Sequence, residues 1–221
     1  MFIGIGNPIP ELSNLPGVSR PGAGGPSGPS VDQIANQYSF EFDGASSSHY
    51  VIPSDTFSAN NSGFSICFWY YKTAQQVGMV ISKSGANFEI YTHTNGNALW
   101  TYFASQSANT NKIPVVLNSW QHICYVVSST GYKGYQNGAL AVENTFSSTP
   151  NYGALTNNIY LAARSGYQQN SNISLDEIAF FYRELDEKDV KAIYDATTSG
   201  MTADLSTLST GAPTAWYRMG D

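Results

Sequence analysis

After residue 37, apolar and polar positions alternate with a period of two along most of the chain, which predicts strands. Residues 38–42 (YSFEF) put aromatic side chains on one face and end at the Asp43-Gly44 turn. Residues 49–52 resume the strand until Pro53. Residues 64–71 (FSICFWYY) are almost continuously apolar, the pattern of a strand buried on both faces. Residues 79–81 form a short strand. Residues 88–92 and 99–103 flank Asn95-Gly96, and residues 132–136 and 139–142 flank Asn137-Gly138. Asn-Gly accepts the positive φ of a type I′ turn, so both read as hairpins. Residues 120–127, 158–162 and 173–182 complete the long strands.

The period changes once. Asp186 can cap a helix over about 186–198, with Leu185 and Val190 spaced as a hydrophobic staple. Val190, Ile193 and Tyr194 make its apolar stripe, and Gly200 can stop it. Residues 201–213 read as a loop and residues 215–219 as a closing strand. Many short strands with turn signals between them predict an all-β, two-sheet antiparallel sandwich with one short C-terminal helix.

Residues 1–36 do not fit that body. The first thirty hold six of the ten prolines and seven of the twenty glycines, so no core can form there. They read as an extended arm ahead of one domain over 37–221. The arm's own apolar residues, Met1, Phe2, Ile3 and Ile5, are candidate anchors onto a neighbouring protein. The arm also lacks the basic and continuous apolar regions of a Sec-type signal peptide.

Composition narrows the chemistry. Hydrophobic residues make up 42% of 221, enough for a full core, while only 12% are charged. Net charge is −6 and no window is rich in Lys or Arg, which reads against nucleic-acid binding. No apolar run of about 18 residues is present, so no membrane span is expected. Cys67 and Cys124 lie in strong strands; the reading favours two buried thiols, with a disulfide as the alternative. His49, His93 and His122 lack metal spacing and read as packing residues. Asp176 and Glu177 are adjacent, so on a regular strand they face opposite ways. Glu184, Asp186 and Glu187 read as the acidic first turn of the helix. Asp43 with Asp176 is the candidate calcium pair, though Asp43 is explained by its own turn; no cofactor is expected. Tyr91, Trp100, Tyr102 and Tyr167 are candidates for stacking on sugar rings. Trp100 and Tyr102 share one face of a strand, and the competing reading makes that face core. Asn60 and Asn172 stand in glycosylation-type triplets, as expected by chance in so Asn- and Ser-rich a chain.

The succession YSFEFDG, HYVIP, FSICFWYY, NSWQHICYVV, YKGYQNGAL, NNIYLAAR and SLDEIAFFYRELDEKDVKAIYDA resembles the laminin-G-like, concanavalin-A-like jelly roll over about residues 37–200. The resemblance implies two antiparallel sheets, and is compatible with lectins, adhesion modules, enzyme accessory domains and virion proteins. The E-x-D-x-E strand motif of the jelly-roll glycosidases is missing, which reads against an enzyme. The opening FIGIGNPIP and the closing AWYRMGD resemble the ends of structural proteins of tailed bacteriophages. That second resemblance implies a multi-copy virion protein, assembled in the host cytoplasm, decorating a capsid and held to capsid proteins by its arm. The alternative is a lectin-like module on a fibre that binds a surface glycan.

Overall fold

The computed structural model describes residues 28–53, 63–83, 88–93, 95–103, 106–148, 150, 158–164 and 169–219, with the backbone alone at 106–111. Met1, Phe2, Ile3, Ile5, Asn60 and Tyr167 lie outside the described residues.

The strands are β1 (Asp32–Ala35), β2 (Phe40–Asp43), β3 (Tyr50–Ile52), β4 (Phe64–Tyr71), β5 (Gly78–Lys83), β6 (Phe88–Thr92), β7 (Ala98–Phe103) and β8 (Gln106–Pro114). They continue as β9 (Gln121–Val127), β10 (Gly131–Gln136), β11 (Ala139–Thr145), β12 (Ile159–Leu161) and β13 (Asn172–Phe181). Helix α1 (Glu187–Asp195), β14 (Met201–Asp204), a 3-10 turn at Leu205–Thr207 and β15 (Ala215–Tyr217) close the chain.

One sheet runs β11-β10-β9-β4-β13-β15, with β2 also on the β13 edge. The other runs β3-β12-β5-β6-β7-β8. All pairings are antiparallel, as the sandwich expectation requires. Phe64, Ile66, Phe68 and Tyr70 of β4 and Ile123, Tyr125 and Val127 of β9 face the second sheet, where Val80, Phe88, Ile90, Leu99 and Phe103 meet them. The intervening Cys67, Cys124 and Val126 point the other way, under a lid of Leu185, Val190, Ile193, Ala203 and Leu205. The sheet is therefore covered on both faces, which is why β4 and β9 are apolar at nearly every position.

Helix α1 begins as expected. The Asp186 side chain accepts from the Asp189 backbone N–H at 2.7 Å, and Asp189 reciprocates in a capping box. The helix ends at Asp195, earlier than 198, because the chain turns through Gly200 (φ +71°) into β14. The second hairpin has the expected turn, with φ +51° at Asn137 and +75° at Gly138.

Five readings are corrected. Residues 32–35, assigned to the arm, form β1 and pair with β14 inside the supposed loop 201–213. A polar strand, β8, occupies residues with no apolar alternation. The closing strand stops at Tyr217, where its pairing with β13 ends. Cys67 and Cys124 sit directly opposite in the β4–β9 register, Cα atoms 4.1 Å apart, and are joined as a disulfide rather than free. Asp176 and Glu177 do not face opposite ways. Ile173 and Leu175 face the inter-sheet core, and so do Ile178 and Phe180, so the parity shifts at a bulge between them. Glu177 takes φ +51° there, and both carboxylates lie on the outer side of the sheet.

Candidate functional site

The outward face of the six-stranded sheet gathers the candidate ring-stacking residues. Burial alternates strictly along β7: Leu99, Thr101 and Phe103 are buried, while Ala98, Trp100 and Tyr102 are partly exposed. The reading that made the Trp100–Tyr102 face core is thus reversed, because Leu99 and Phe103 fill the core instead. Register sets Tyr91 of β6 opposite Trp100, and Glu89 opposite Tyr102. The Tyr91 and Trp100 ring centroids are 6.4 Å apart, and His93 sits 4.8 Å from Trp100. Lys112 of β8 places its Nζ 3.5 Å from the Trp100 ring centroid, a cation–π contact.

Beside this row, Arg164 donates to both carboxylate oxygens of Glu89, at 2.9 and 2.6 Å. A bidentate pair of this kind fixes both side chains. Burial pushes the Tyr91 phenol above its usual pKa, Glu89 and Tyr102 push it further, and Arg164 opposes them. The phenol therefore stays a neutral hydrogen-bond donor. Chemically, the face offers aromatic surface, one paired carboxylate and an ammonium.

Lys112, Arg164, His93 and Glu89 were not foreseen as part of this face. Glu89 could have been found from its i, i+2 relation to Tyr91. Lys112 could not, because the β7–β8 register shifts between Leu99 and Thr101. Arg164 reaches Glu89 from a loop 75 residues away, which no local pattern signals.

The other candidates disperse. Asp43 pairs with Asn172, four residues and about 13 Å along β13 from Asp176. Asp43 accepts from the Ala45 N–H, while Asp176 is buried and accepts from Asn36 Nδ2 and the Glu177 N–H. The register therefore does not bring the two carboxylates together. Among the described residues no group of three or more His, Cys, Asp or Glu could hold a metal. His122 is buried between Trp69 and Tyr194, with burial pushing its pKa down to about 4. His49 bonds the Ser46 carbonyl. A cleft of about 420 Å³ lies between the β10–β11 hairpin and the β13–α1 junction, lined by Tyr135, Glu143, Glu184 and Glu187 among others. Within it Lys133 pairs with Glu143 at 3.6 Å, and Asp186 caps α1.

A family model described as the concanavalin A-like lectin/glucanases superfamily matches residues 43–191. The chain belongs to this superfamily. No match was found among curated protein sequences. Among solved structures, the superfamily sandwich resembles the botulinum neurotoxin serotype G binding domain, with TM-score 0.54 and 17% identity over 74% of this chain and 44% of that one. It also resembles the binding domain of botulinum neurotoxin DC in complex with rat synaptotagmin II, with TM-score 0.56 and 16% identity over 76% and 46%. The native heptameric SAP-like pentraxin from Limulus polyphemus matches with TM-score 0.52 and 12% identity over 83% and 89%. At these identities the likeness is one of fold. The chain spans less than half the length of the toxin domains.

Proposed function

We propose that this superfamily member is a non-enzymatic structural protein of a tailed-phage particle, a capsid decoration protein whose leading segment ties a displayed sandwich to the shell. The observation that carries the reading is the clamp at residues 30–36. The Ser209 N–H donates to the Ser30 carbonyl at 2.9 Å, and the Asp32 N–H donates to Thr207 Oγ1 at 2.8 Å. β1 pairs with β14 over four residues, Arg218 donates to the Ala35 carbonyl, and Asn36 bonds both Gly200 and Asp176. A load on the leading segment therefore passes into the body at once, which suits a tether. The resemblance of both chain ends to phage structural proteins supplies the setting. The pentraxin of similar fold is heptameric, which supports a sandwich of this kind acting in a multi-copy assembly.

A non-catalytic role is supported by the candidate face itself. Glycoside hydrolysis uses two carboxyl groups flanking one bond. The described outward residues of the six-stranded sheet include one carboxylate, Glu89, and Arg164 holds it on both oxygens.

The test is loading onto shells that lack the protein. Full-length chain should bind, and a chain lacking residues 1–27 should stay folded in solution and fail to bind. Equal occupancy by the shortened chain would overturn the tether.

A second reading, a carbohydrate-binding module, is favoured by the Tyr91–Trp100–Tyr102 face. Glycan-array binding that is lost in Tyr102→Ala tests it.

A further inference from the structure

Charge is unevenly placed on this acidic molecule. The six strands facing outward at Trp100 carry only Lys83, Glu89 and Lys112 as charged residues. Lys83 pairs with Phe88 and Ile159 and is buried with them. The outward charges are then Glu89, Lys112 and the Arg164 that folds over it, leaving one net positive on a chain of net charge −6. Glu89 and Arg164 neutralise each other. Lys112 makes no ion pair among the described residues, and its ammonium is held beside the aromatic row by Trp100. Residues 84–87, 94, 104–111 and 165–168 contain no Asp or Glu. On the opposite side, α1 and its flanks carry five carboxylates (Glu184, Asp186, Glu187, Asp189 and Asp195) against three cations, with Arg183 paired to Asp189 and Lys191 to Asp195, a net of two negative charges.

Resting on the carbohydrate reading of this face, we propose that its ligand is an anionic saccharide chain, with an acidic group on Lys112 and sugar rings against Tyr91 and Tyr102. Lys112 covers one face of the Trp100 indole, so Trp100 positions the cation rather than serving as an open stacking surface. The two tyrosines lie on adjacent strands in neighbouring rows, as a chain of rings crossing β6 and β7 requires. Their phenols, and the Glu89–Arg164 pair, supply fixed polar partners for hydroxyl groups. An acidic chain meets net repulsion from a molecule of charge −6 and a locally net positive face here, which favours orientation as well as affinity.

The test is affinity electrophoresis of the full chain in gels containing polygalacturonate, dextran sulfate, neutral dextran or poly-glutamate, at low and at 0.5 M salt. Retardation is expected with polygalacturonate or dextran sulfate, at least about tenfold stronger than with dextran, and weakened by salt. Retention by only one of the two acidic polymers identifies the acidic group as carboxylate or sulfate. Lys112→Gln, which keeps the alkyl stem over Trp100, should remove most of that preference. Tyr102→Ala should weaken every saccharide. Equal binding of dextran, unchanged in Lys112→Gln, would keep the carbohydrate reading and overturn the anionic one. Binding of poly-glutamate as strong as polygalacturonate would overturn it too, since rings would then contribute nothing. No retention by any saccharide would remove both.

Discussion

Where the leading segment ends and the body begins can be decided by two truncations. Removing residues 1–27 leaves the clamp whole. Removing residues 1–36 deletes β1 and every bond from Ser30, Asp32, Ala35 and Asn36 to the body. It also takes Asn36 from Asp176, a carboxylate only 2% exposed. Five hydrogen bonds at about 1 kcal/mol each, before the β1–β14 ladder is added, plus about 1–3 kcal/mol for a buried carboxylate that loses a partner, give a loss of at least about 6–8 kcal/mol. That is a large share of the roughly 5–15 kcal/mol that holds a domain together. Urea unfolding followed by tryptophan fluorescence reads it directly. The shorter deletion should match the full chain within about 0.5 kcal/mol. The longer one should unfold at much lower urea, or lower Tm by at least about 10 °C. If the longer deletion is as stable as the full chain, the clamp carries no load and the reasoning fails.

Other outcomes follow from single residues. The folded pKa of His122 is about 4, below its ordinary 6.5, so the unfolded chain takes the proton first as pH falls. Its contribution, about 3 kcal/mol, is present above pH 6.5 and lost progressively toward pH 4. The difference in stability between wild type and His122→Phe should change by about that amount across this window, and parallel curves would refute it. Cys67 and Cys124 close a loop of 57 residues, so reduction should cost about 4 kcal/mol, and thiol titration of the unreduced, unfolded chain should find none. Gly96 has φ +67° and a Cβ there would collide with the Gln76 backbone, so Gly96→Ala should destabilise by about 1–3 kcal/mol in the same urea assay.

The parts legible in the sequence are those where one local pattern decides. Residues 64–71 and 121–127 are apolar at both parities because a second sheet lies on one side and α1 on the other. Asn137-Gly138 and the Asp186 cap carry their own geometry. The parts missed depend on partners far along the chain. β1 meets β14 about 170 residues later, and neither four-residue segment has enough alternation to announce itself. β8 is polar because it lies at the sheet edge. The 176–177 bulge turns a pair of opposed carboxylates into neighbours, and only the shift of apolar parity from 175 to 178 hints at it. Periodicity placed Trp100 and Tyr102 on one face, but which face was open depended on Phe103 packing against Phe64 and Tyr125. Lys112 and Arg164 join that face through a shifted register and a loop.

The central claim is that a rigid sandwich is carried by the strip ahead of its clamp. A density map of particles bearing the protein tests this most directly. The account predicts density for residues 1–27 lying on a neighbouring shell subunit, continuous with Ser30, and a sandwich projecting outward. A sandwich seated on the shell through its own sheets, with that strip touching nothing, would contradict it.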